Sequence, residues 1–374
     1  METWPEHAAI DFMWLGMKYY DKSISLLMKH ISEGHHAQRD GYNRRYDDET
    51  IAAATILCNY EFLSATTAGW SRHLDGTQSL LQLNHEEGLF QFQPSPRPAA
   101  SVPKPPKALR AVFWNFARQD FLASLIACKP TRLDTDDLDM WRAMGLLLND
   151  RGLVVSSNNS IDPSEESMGD DMISNALVWL LSKIANFIAT VSDDDSQATA
   201  VWQALDLEVK VWYEGLPSSF QPSARIPIDD QISPNLKWET WYSNSMCAST
   251  MQSYHMARML LLIHRPSKIL YGWASSHEPG MVAQRKDLLS VYRSMQTELR
   301  THAIEICSIA LGRPHDPARI HMLQPLYIAG RCLTDARDQK IVITLIQDIE
   351  KDLGWATGYR VEQLLEEWKL SSSP

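Results

Sequence analysis

The chain has 374 residues, of which 44% are hydrophobic, so it is long and apolar enough to bury a large core. This composition excludes a chain that is disordered throughout, and the length allows one large helical domain or two smaller ones. The formal net charge of −11 gives no electrostatic attraction for phosphate groups, so we expect no direct nucleic-acid binding.

The N-terminal part of the chain predicts three helices. The first 34 residues look helical, and "DDET" then supplies an Asp that caps a helix running to about Ser64. The stretch "GWSRHLDGTQSLLQL" places apolar residues at intervals of three and four, which indicates another helix, although Gly76 weakens it.

A run of prolines follows these helices. The segment "FQPSPRPAASVPKPPK" contains six prolines, which predicts an exposed, extended Pro-rich loop over residues 92–107. Beyond this loop, "ALRAVFWNFARQDFLASLIAC" is apolar on nearly every side. We therefore expect this helix to run through the centre of the core.

The rest of the chain predicts helices separated by two loops, a polar loop over 149–170 and a Pro-rich loop over 215–234. The run "WYSNSMCASTMQSYHMARMLLLIHRP" keeps helical spacing until Pro266, and its length indicates a second central helix. No stretch alternates apolar and polar residues over several strand lengths, so we predict an all-α fold, one large multi-helix domain over residues 1–374. The remaining helices are expected near 171–191, 197–214, 284–311, 322–334, 337–352 and 358–369.

Four stretches resemble one protein family. The C-terminal run "LIQDIEKDLGWATGYRVEQLLEEWKL" resembles the closing signature of the fungal-specific transcription factor domain. Three further stretches are similar to segments of the same family and follow its order, so the resemblance covers most of the chain from about residue 15 to residue 369. These stretches are "GWSRHLDGTQSLL", "AVFWNFARQDFLASL" and "QPLYIAGRCLTDARDQKIV".

The resemblance implies an all-helical regulatory domain of the kind found downstream of zinc binuclear clusters, which governs activation, dimer behaviour and sometimes the response to small molecules. The five cysteines of this chain lie far apart and form no six-cysteine cluster, so we expect reduced core thiols and no metal. A regulator of this kind needs a DNA-binding partner protein or a homodimer. We expect it in the nucleus, with the cytoplasm as the alternative, and we expect no membrane association because Lys183 interrupts the most apolar helix.

The short motif "HHAQRDG" fits H-H-x-x-x-D-G, the active-site pattern of condensation-type acyltransferases, in which the second His acts as the base. In those enzymes the motif lies between two sheet-containing lobes, whereas here only 34 residues precede it and the segment has the composition of a polar loop. We interpret it as a chance match, and we interpret His302 and Glu305 as ordinary surface neighbours. Because common hydrolase, nucleotide-binding and zinc motifs are missing as well, the sequence assigns no catalytic residue and no cofactor.

Polar residues inside the two central helices are the candidate ligand-binding residues. In the first helix, Arg118 and Asp120 are two positions apart and so cannot pair directly. In the second, polar residues continue to His264 and Arg265. Either these residues form a buried network that joins the two helices, or some of them point into a cavity, also lined by Met259, that orients a mostly apolar ligand. The candidate set is Trp114, Arg118, Asp120, Phe121, Met251, Tyr254, His255 and Arg258.

Two functions from different classes follow from these observations. The first is a transcription-regulator-like protein without its own DNA-binding cluster that controls or serves a fungal secondary-metabolite pathway. The second is an enzyme of such a pathway, recruited from the same domain, that acts as a cofactor-independent cyclase of the pericyclic, Diels-Alder type in an apolar cavity. A storage or transport role is a third, more distant possibility.

Overall fold

The structure is a computed structural model, and its described residues are mainly helical, which confirms the all-α prediction. The chain divides into two compact units, Met1–Phe116 and Ala117–Pro374. The structure describes residues 11–37, 48–63, 67–84, 105–155, 168–191, 197–267, 269 and 288–372.

The described part of the chain contains thirteen α-helices, numbered in chain order, and two strands between α7 and α8. The first seven are α1 Phe12–Ala37, α2 Asp48–Leu63, α3 Thr67–Asn84, α4 Lys107–Ala127, α5 Leu138–Ala143, α6 Asp170–Thr190 and α7 Ala198–Glu214. After the strands β1 Ala224–Pro227 and β2 Trp238–Trp241 come α8 Ser245–Ile263, α9 Leu288–Leu311, α10 Asp316–Arg319, α11 Leu323–Gly330, α12 Ala336–Leu353 and α13 Gly358–Ser372.

The long helices lie where the apolar periodicity predicted them, with ends that differ by a few residues. The helix expected near 322–334 is shorter, because α11 ends at Gly330 and the Cys332 N–H closes a turn onto the Ala329 carbonyl. The sequence did not predict α5 and α10, which have six and four residues. Such short helices contain too few turns for a periodic pattern to be recognised.

The predicted polar loop around the "HHAQRDG" motif begins later than expected. Helix α1 continues through His35 and His36 to Ala37, so the first three motif residues are helical. The half-buried side of α1 continues as far as Ile31, so contacts with neighbouring residues support the helix over most of its 26 residues. The remainder of the motif, residues 38–41, lies outside the described residues.

The N-terminal unit, Met1–Phe116, is held together by aromatic stacking between neighbouring helices. Helices α2 and α3 pack side by side, and Phe62 stacks on Trp70 with ring centres 4.4 Å apart. Helix α1 adds to α2 through Tyr20, whose ring stacks on Tyr60 at 4.5 Å. Each of these pairs combines a large buried apolar area with a favoured ring geometry, so they fix how the helices lie against each other.

The C-terminal unit is built around α6 and α8, which pack against each other and against α7. By length and composition α6 could cross a membrane, but 67% of its most apolar window is buried inside the protein, as is usual for a core helix. The central charge of α6 is compensated, because Lys183 Nζ lies 2.5 Å from a carboxylate oxygen of Glu208 and 4.7 Å from the ring centre of Trp179.

A two-stranded antiparallel hairpin precedes α8. Strand β1 pairs with β2 in a register that runs from Ala224 opposite Trp241 to Pro227 opposite Trp238. Strand β1 lies inside the segment 215–234 that the sequence indicated as a Pro-rich loop. Its four residues are all exposed and show no alternation of buried and exposed side chains, so the sequence carried no strand signal there.

Two further predicted loops are described only in part. Helix α4 starts at Lys107, the last residue of the predicted Pro-rich loop over 92–107. In the polar loop over 149–170, the Asn149 side chain accepts hydrogen bonds from the backbone N–H groups of Arg151 and Leu153. These bonds form a tight local turn, as is common for Asn.

The cysteines are free, as predicted, but they do not all lie in the core. Cys58, Cys247 and Cys307 are buried, and Cys332 is half-buried. Cys128 is exposed because it follows the last residue of α4, where the chain leaves the helix with φ +50°. The prediction of core thiols was therefore wrong for Cys128.

In the sequence of the C-terminal helix, Val361, Leu364, Leu365 and Trp368 recur at helical spacing, which predicts an apolar stripe that docks onto the rest of the protein. The docking is confirmed, because α13 packs on α11 and α12. Leu364 is 0% exposed, and the indole N–H of Trp368 donates to the Gly330 carbonyl at 3.1 Å. Leu365, which we expected in the same stripe, is 42% exposed. It lies about 100° around the helix from Leu364 and so falls at the edge of the docked side.

Two glycines allow a matched prediction on stability. Gly354 ends α12 with φ +70°, and an alanine there should lower the free energy of unfolding by about 1–2 kcal/mol. Gly76 lies exposed inside α3, and an added Cβ would meet nothing within 4 Å, so Gly76→Ala should raise the free energy of unfolding by about 0.5–1 kcal/mol. Urea unfolding followed by circular dichroism measures both. Equal effects of the two substitutions would contradict the backbone conformations described here.

Candidate functional site

Helix α8 positions most of the predicted polar site residues. It starts where the Asn244 side chain accepts a hydrogen bond from the Met246 N–H at 2.9 Å, and it is buried along most of its length. Tyr254 is 9% exposed, and its ring stacks on Tyr213 of α7 with ring centres 4.4 Å apart. A second ring of α7, that of Trp212, lies 5.9 Å away. Burial raises the pKa of Tyr254 to about 12, so its hydroxyl stays protonated.

Beside Tyr254, two histidines face each other across α8 and α9. The Nδ1 atoms of His255 and His302 are 2.9 Å apart, so one of them carries a hydrogen and the other accepts it. Burial lowers the pKa of His255 to about 3, and its partner His302 and Arg225 act in the same direction. Burial, followed by the nearby charge of Arg258, lowers the pKa of His302 to about 4. Both imidazoles are therefore neutral at pH 7.

The two cations next to this histidine pair each have a carboxylate partner. Arg258 Nη1 lies 2.5 Å from Asp206 of α7, and Arg225 of β1 lies 3.0 Å from Glu305 of α9. The interpretation of His302 and Glu305 as surface neighbours was wrong, since His302 bonds inward to α8 and Glu305 joins α9 to the hairpin. The two cations are thus compensated locally, and the rest of the cluster consists of stacked aromatic rings and neutral imidazoles.

The first central helix, α4, places its two polar residues at different sites. The Asp120 carboxylate accepts hydrogen bonds from the backbone N–H groups of Arg132 and Leu133, at 2.7 and 3.0 Å, and so holds the chain that follows α4. Arg118 instead donates to the side chain of Asn175 on α6 at 2.8 Å. The prediction that Arg118 and Asp120 do not pair is confirmed. We expected the polar network to join α4 to α8, but Arg118 of α4 bonds to α6, whereas the polar residues of α8 named above bond to α7 and α9.

The apolar candidates are buried side chains. Phe121, Met251 and Met259 in the C-terminal unit are 4%, 5% and 0% exposed, and Trp114 in the N-terminal unit is 5% exposed. Whether they line a ligand cavity stays a prediction. Among the residues that the structure describes, no three His, Cys, Asp or Glu side chains come together as a metal site would require.

Sequence reasoning missed the partners of the α8 residues. On α7, Tyr213 is 41 positions and Asp206 is 52 positions away in sequence from the α8 residue that it contacts. On α9, His302 is 47 positions away from its partner. Each is an ordinary polar or aromatic residue on an amphipathic helix. No local pattern distinguishes it from a solvent-facing residue, so only the packing of α7 and α9 on α8 could identify it.

The class of the protein follows from this all-helical fold together with comparison to known proteins. Residues 7–371 match the fungal specific transcription factor domain, and the chain belongs to that family. It is thus transcription-regulator-like. Among its relatives is the transcription activator AMTR1 of Alternaria alternata, which is 37% identical over 349 aligned residues. The alignment covers 86% of this chain but 44% of the relative, so the chain spans less than half of that protein's length. No solved structure matches the chain.

The buried histidine pair generates a prediction for the pH dependence of stability. The unfolded chain binds protons on these histidines below about pH 6.5, whereas the folded protein binds them only near pH 4 and below. The contribution of the two neutral histidines to the free energy of unfolding is therefore present above pH 6.5 and is lost as the pH falls toward 4. In His302→Asn, the amide takes the place of the Nδ1 atom but does not titrate. We expect this variant to lose less unfolding free energy than the unchanged protein between pH 7 and pH 5, as measured by urea titrations at each pH.

The exposed His315 supplies the matched control for this measurement. His315→Asn should leave the difference between pH 7 and pH 5 as it is in the unchanged protein. The same pH dependence for His302→Asn and for the unchanged protein would show that the pair titrates normally and is not desolvated.

Proposed function

We propose that the chain acts in the nucleus as the regulatory domain of a transcription activator. The observation that carries this proposal is the extent of the similarity, since the family match runs over residues 7–371 and the relative named a transcription activator aligns with 86% of the chain. Similarity of this extent includes both compact units, Met1–Phe116 and Ala117–Pro374. The nuclear location follows from the same relationship.

The charge of the chain supports a division of labour with another protein. Its net charge of −11 repels phosphate backbones, and affinity for DNA is dominated by contacts of Lys and Arg with phosphates. We therefore propose that DNA contact is made by a partner protein or by a cationic module joined to this domain. Assembly of a homodimer would bring two such modules to one site, as symmetric half-sites require.

The link to secondary metabolism and the pericyclic cyclase stay predictions from the sequence. They can be separated from simple regulation in a deletion strain. Altered transcript levels across a gene cluster support a regulator, whereas normal transcripts with one accumulating intermediate support the cyclase. Conversion of that intermediate by the purified chain would establish the enzyme directly.

A reporter assay tests the proposed regulatory role. The full chain is fused to a heterologous DNA-binding module, and the fusion is measured on a reporter gene that carries the cognate site. We expect the fusion to change transcription relative to the DNA-binding module alone. Leu364→Asp should abolish this effect, because it places a charge at a fully buried position of α13. Protein levels are compared by immunoblot.

The neighbouring residue provides the matched control. Leu365 is 42% exposed on the same helix, so Leu365→Asp makes the same chemical change without burying a charge and should keep reporter activity. A fusion of the unchanged chain that leaves transcription at the level of the DNA-binding module alone, although it is folded and nuclear, would refute the regulatory role.

A further inference from the structure

A cleft of about 220 Å³ lies where the C-terminal ends of α6 and α8 meet the N-terminal end of α7. The apolar side chains of Phe187, Ile188, Val191, Ile263 and Pro266 form part of its walls, beside polar groups. Since a cavity of about 150 Å³ accepts benzene, this volume has room for an apolar body of roughly nine non-hydrogen atoms. Small-molecule sites commonly combine such walls with a few polar groups that fix the orientation of the ligand.

Arg265 supplies the charged group of this cleft. Its guanidinium lies 5.2 Å from the ring centre of Trp202, and Trp202 is itself fixed because its indole N–H donates to the Leu261 carbonyl at 2.8 Å. The Nε atom of Arg265 is buried without a hydrogen-bond partner in the described part of the chain. Within the described part of the chain, the guanidinium is oriented by its position over the Trp202 ring, and its Nε–H has no acceptor.

The start of α7 adds donors to the same cleft. Ala198, which lines the cleft, is the first residue of this 17-residue helix, and the cap residue Gln197 makes no side-chain capping bond. The first N–H groups of a helix have no acceptor within the helix itself.

Counted over the described residues alone, the charges around the cleft sum to a positive value. The ends of α6 and α8 each contribute about −0.5 of a charge and the start of α7 about +0.5, so with the full charge of Arg265 about +0.5 remains. His264 also lines the cleft, and partial burial, followed by the nearby charge of Arg331, lowers its pKa. A group with a single negative charge and two acceptor oxygens fits this end of the cleft.

We propose that this cleft binds a small carboxylic acid, with its apolar body between the ends of α6 and α8 and its carboxylate on Arg265. This inference goes beyond the proposed regulatory role and does not rest on it. Arg265 also has an ordinary structural explanation, because an Arg near the C-terminal end of a helix interacts favourably with the last carbonyl groups of that helix. The two explanations differ in whether the guanidinium discriminates between bound molecules.

The test is a titration of the purified, methyl-labelled full chain with phenylpropanoate, followed by NMR. We expect saturable shifts of the Ile188 and Ile263 methyl signals. Phenylpropanol and phenylpropylamine share the apolar body, and both should bind at least tenfold more weakly. Arg265→Gln should weaken phenylpropanoate binding at least tenfold, while Arg313→Gln, which removes the same charge from a side chain that is 78% exposed, should leave it unchanged.

A second variant keeps the result decisive if Arg265→Gln does not fold. Ala198→Leu fills the cleft and retains Arg265, so it should abolish binding while circular dichroism confirms an unchanged helix content. Equal binding of the three compounds, or the absence of saturable shifts, would overturn the proposal. Tighter binding of the amine would overturn it as well.

The regulatory role and the carboxylate site fail independently. The reporter assay contains no added ligand, and the titration contains no DNA or transcription machinery. A chain that binds phenylpropanoate but does not affect transcription would refute only the regulatory role, and the reverse result would refute only the site.

Discussion

The C-terminal unit depends on the burial of α8 on nearly every side. An unsatisfied polar group inside a protein is costly, and several polar side chains of α8 find partners on neighbouring helices. Thr250 bonds to Ser174 of α6 at 2.9 Å, and Gln252 Nε2 donates to the Ile306 carbonyl of α9 at 2.8 Å. With the histidine pair and the Arg258 ion pair, these bonds fix the positions of α6, α7 and α9 relative to one central helix.

Tryptophan side chains connect the remaining parts of the unit. A buried indole is stable only where its N–H finds an acceptor, and here the acceptors are backbone carbonyls. Trp179 donates to Thr135 at 3.0 Å and so ties the segment after α4 to α6. Trp368 makes the corresponding bond between α13 and α11. The abundance of Trp in the sequence therefore reflects connections between helices as much as apolar volume.

The aromatic and histidine cluster lies at residues 254–258 of α8. The cleft lies at the end of the same helix, at residues 263–266. Their chemistry differs. In the cluster both cations have carboxylate partners and both imidazoles are neutral, so the groups satisfy one another. In the cleft the buried Nε of Arg265 has no partner among the described residues.

The sequence by itself determined the long helices, the all-α class and the family, and it showed that Arg118 and Asp120 do not pair with each other. These properties depend on residues a few positions apart, because a helix brings every third or fourth side chain to one side. Only the tertiary structure decided that His255 meets His302, that Leu364 rather than Leu365 is buried, and that three helix ends enclose a cleft at Arg265. Contacts between segments far apart in the chain depend on how whole helices pack, and local periodicity does not specify that packing.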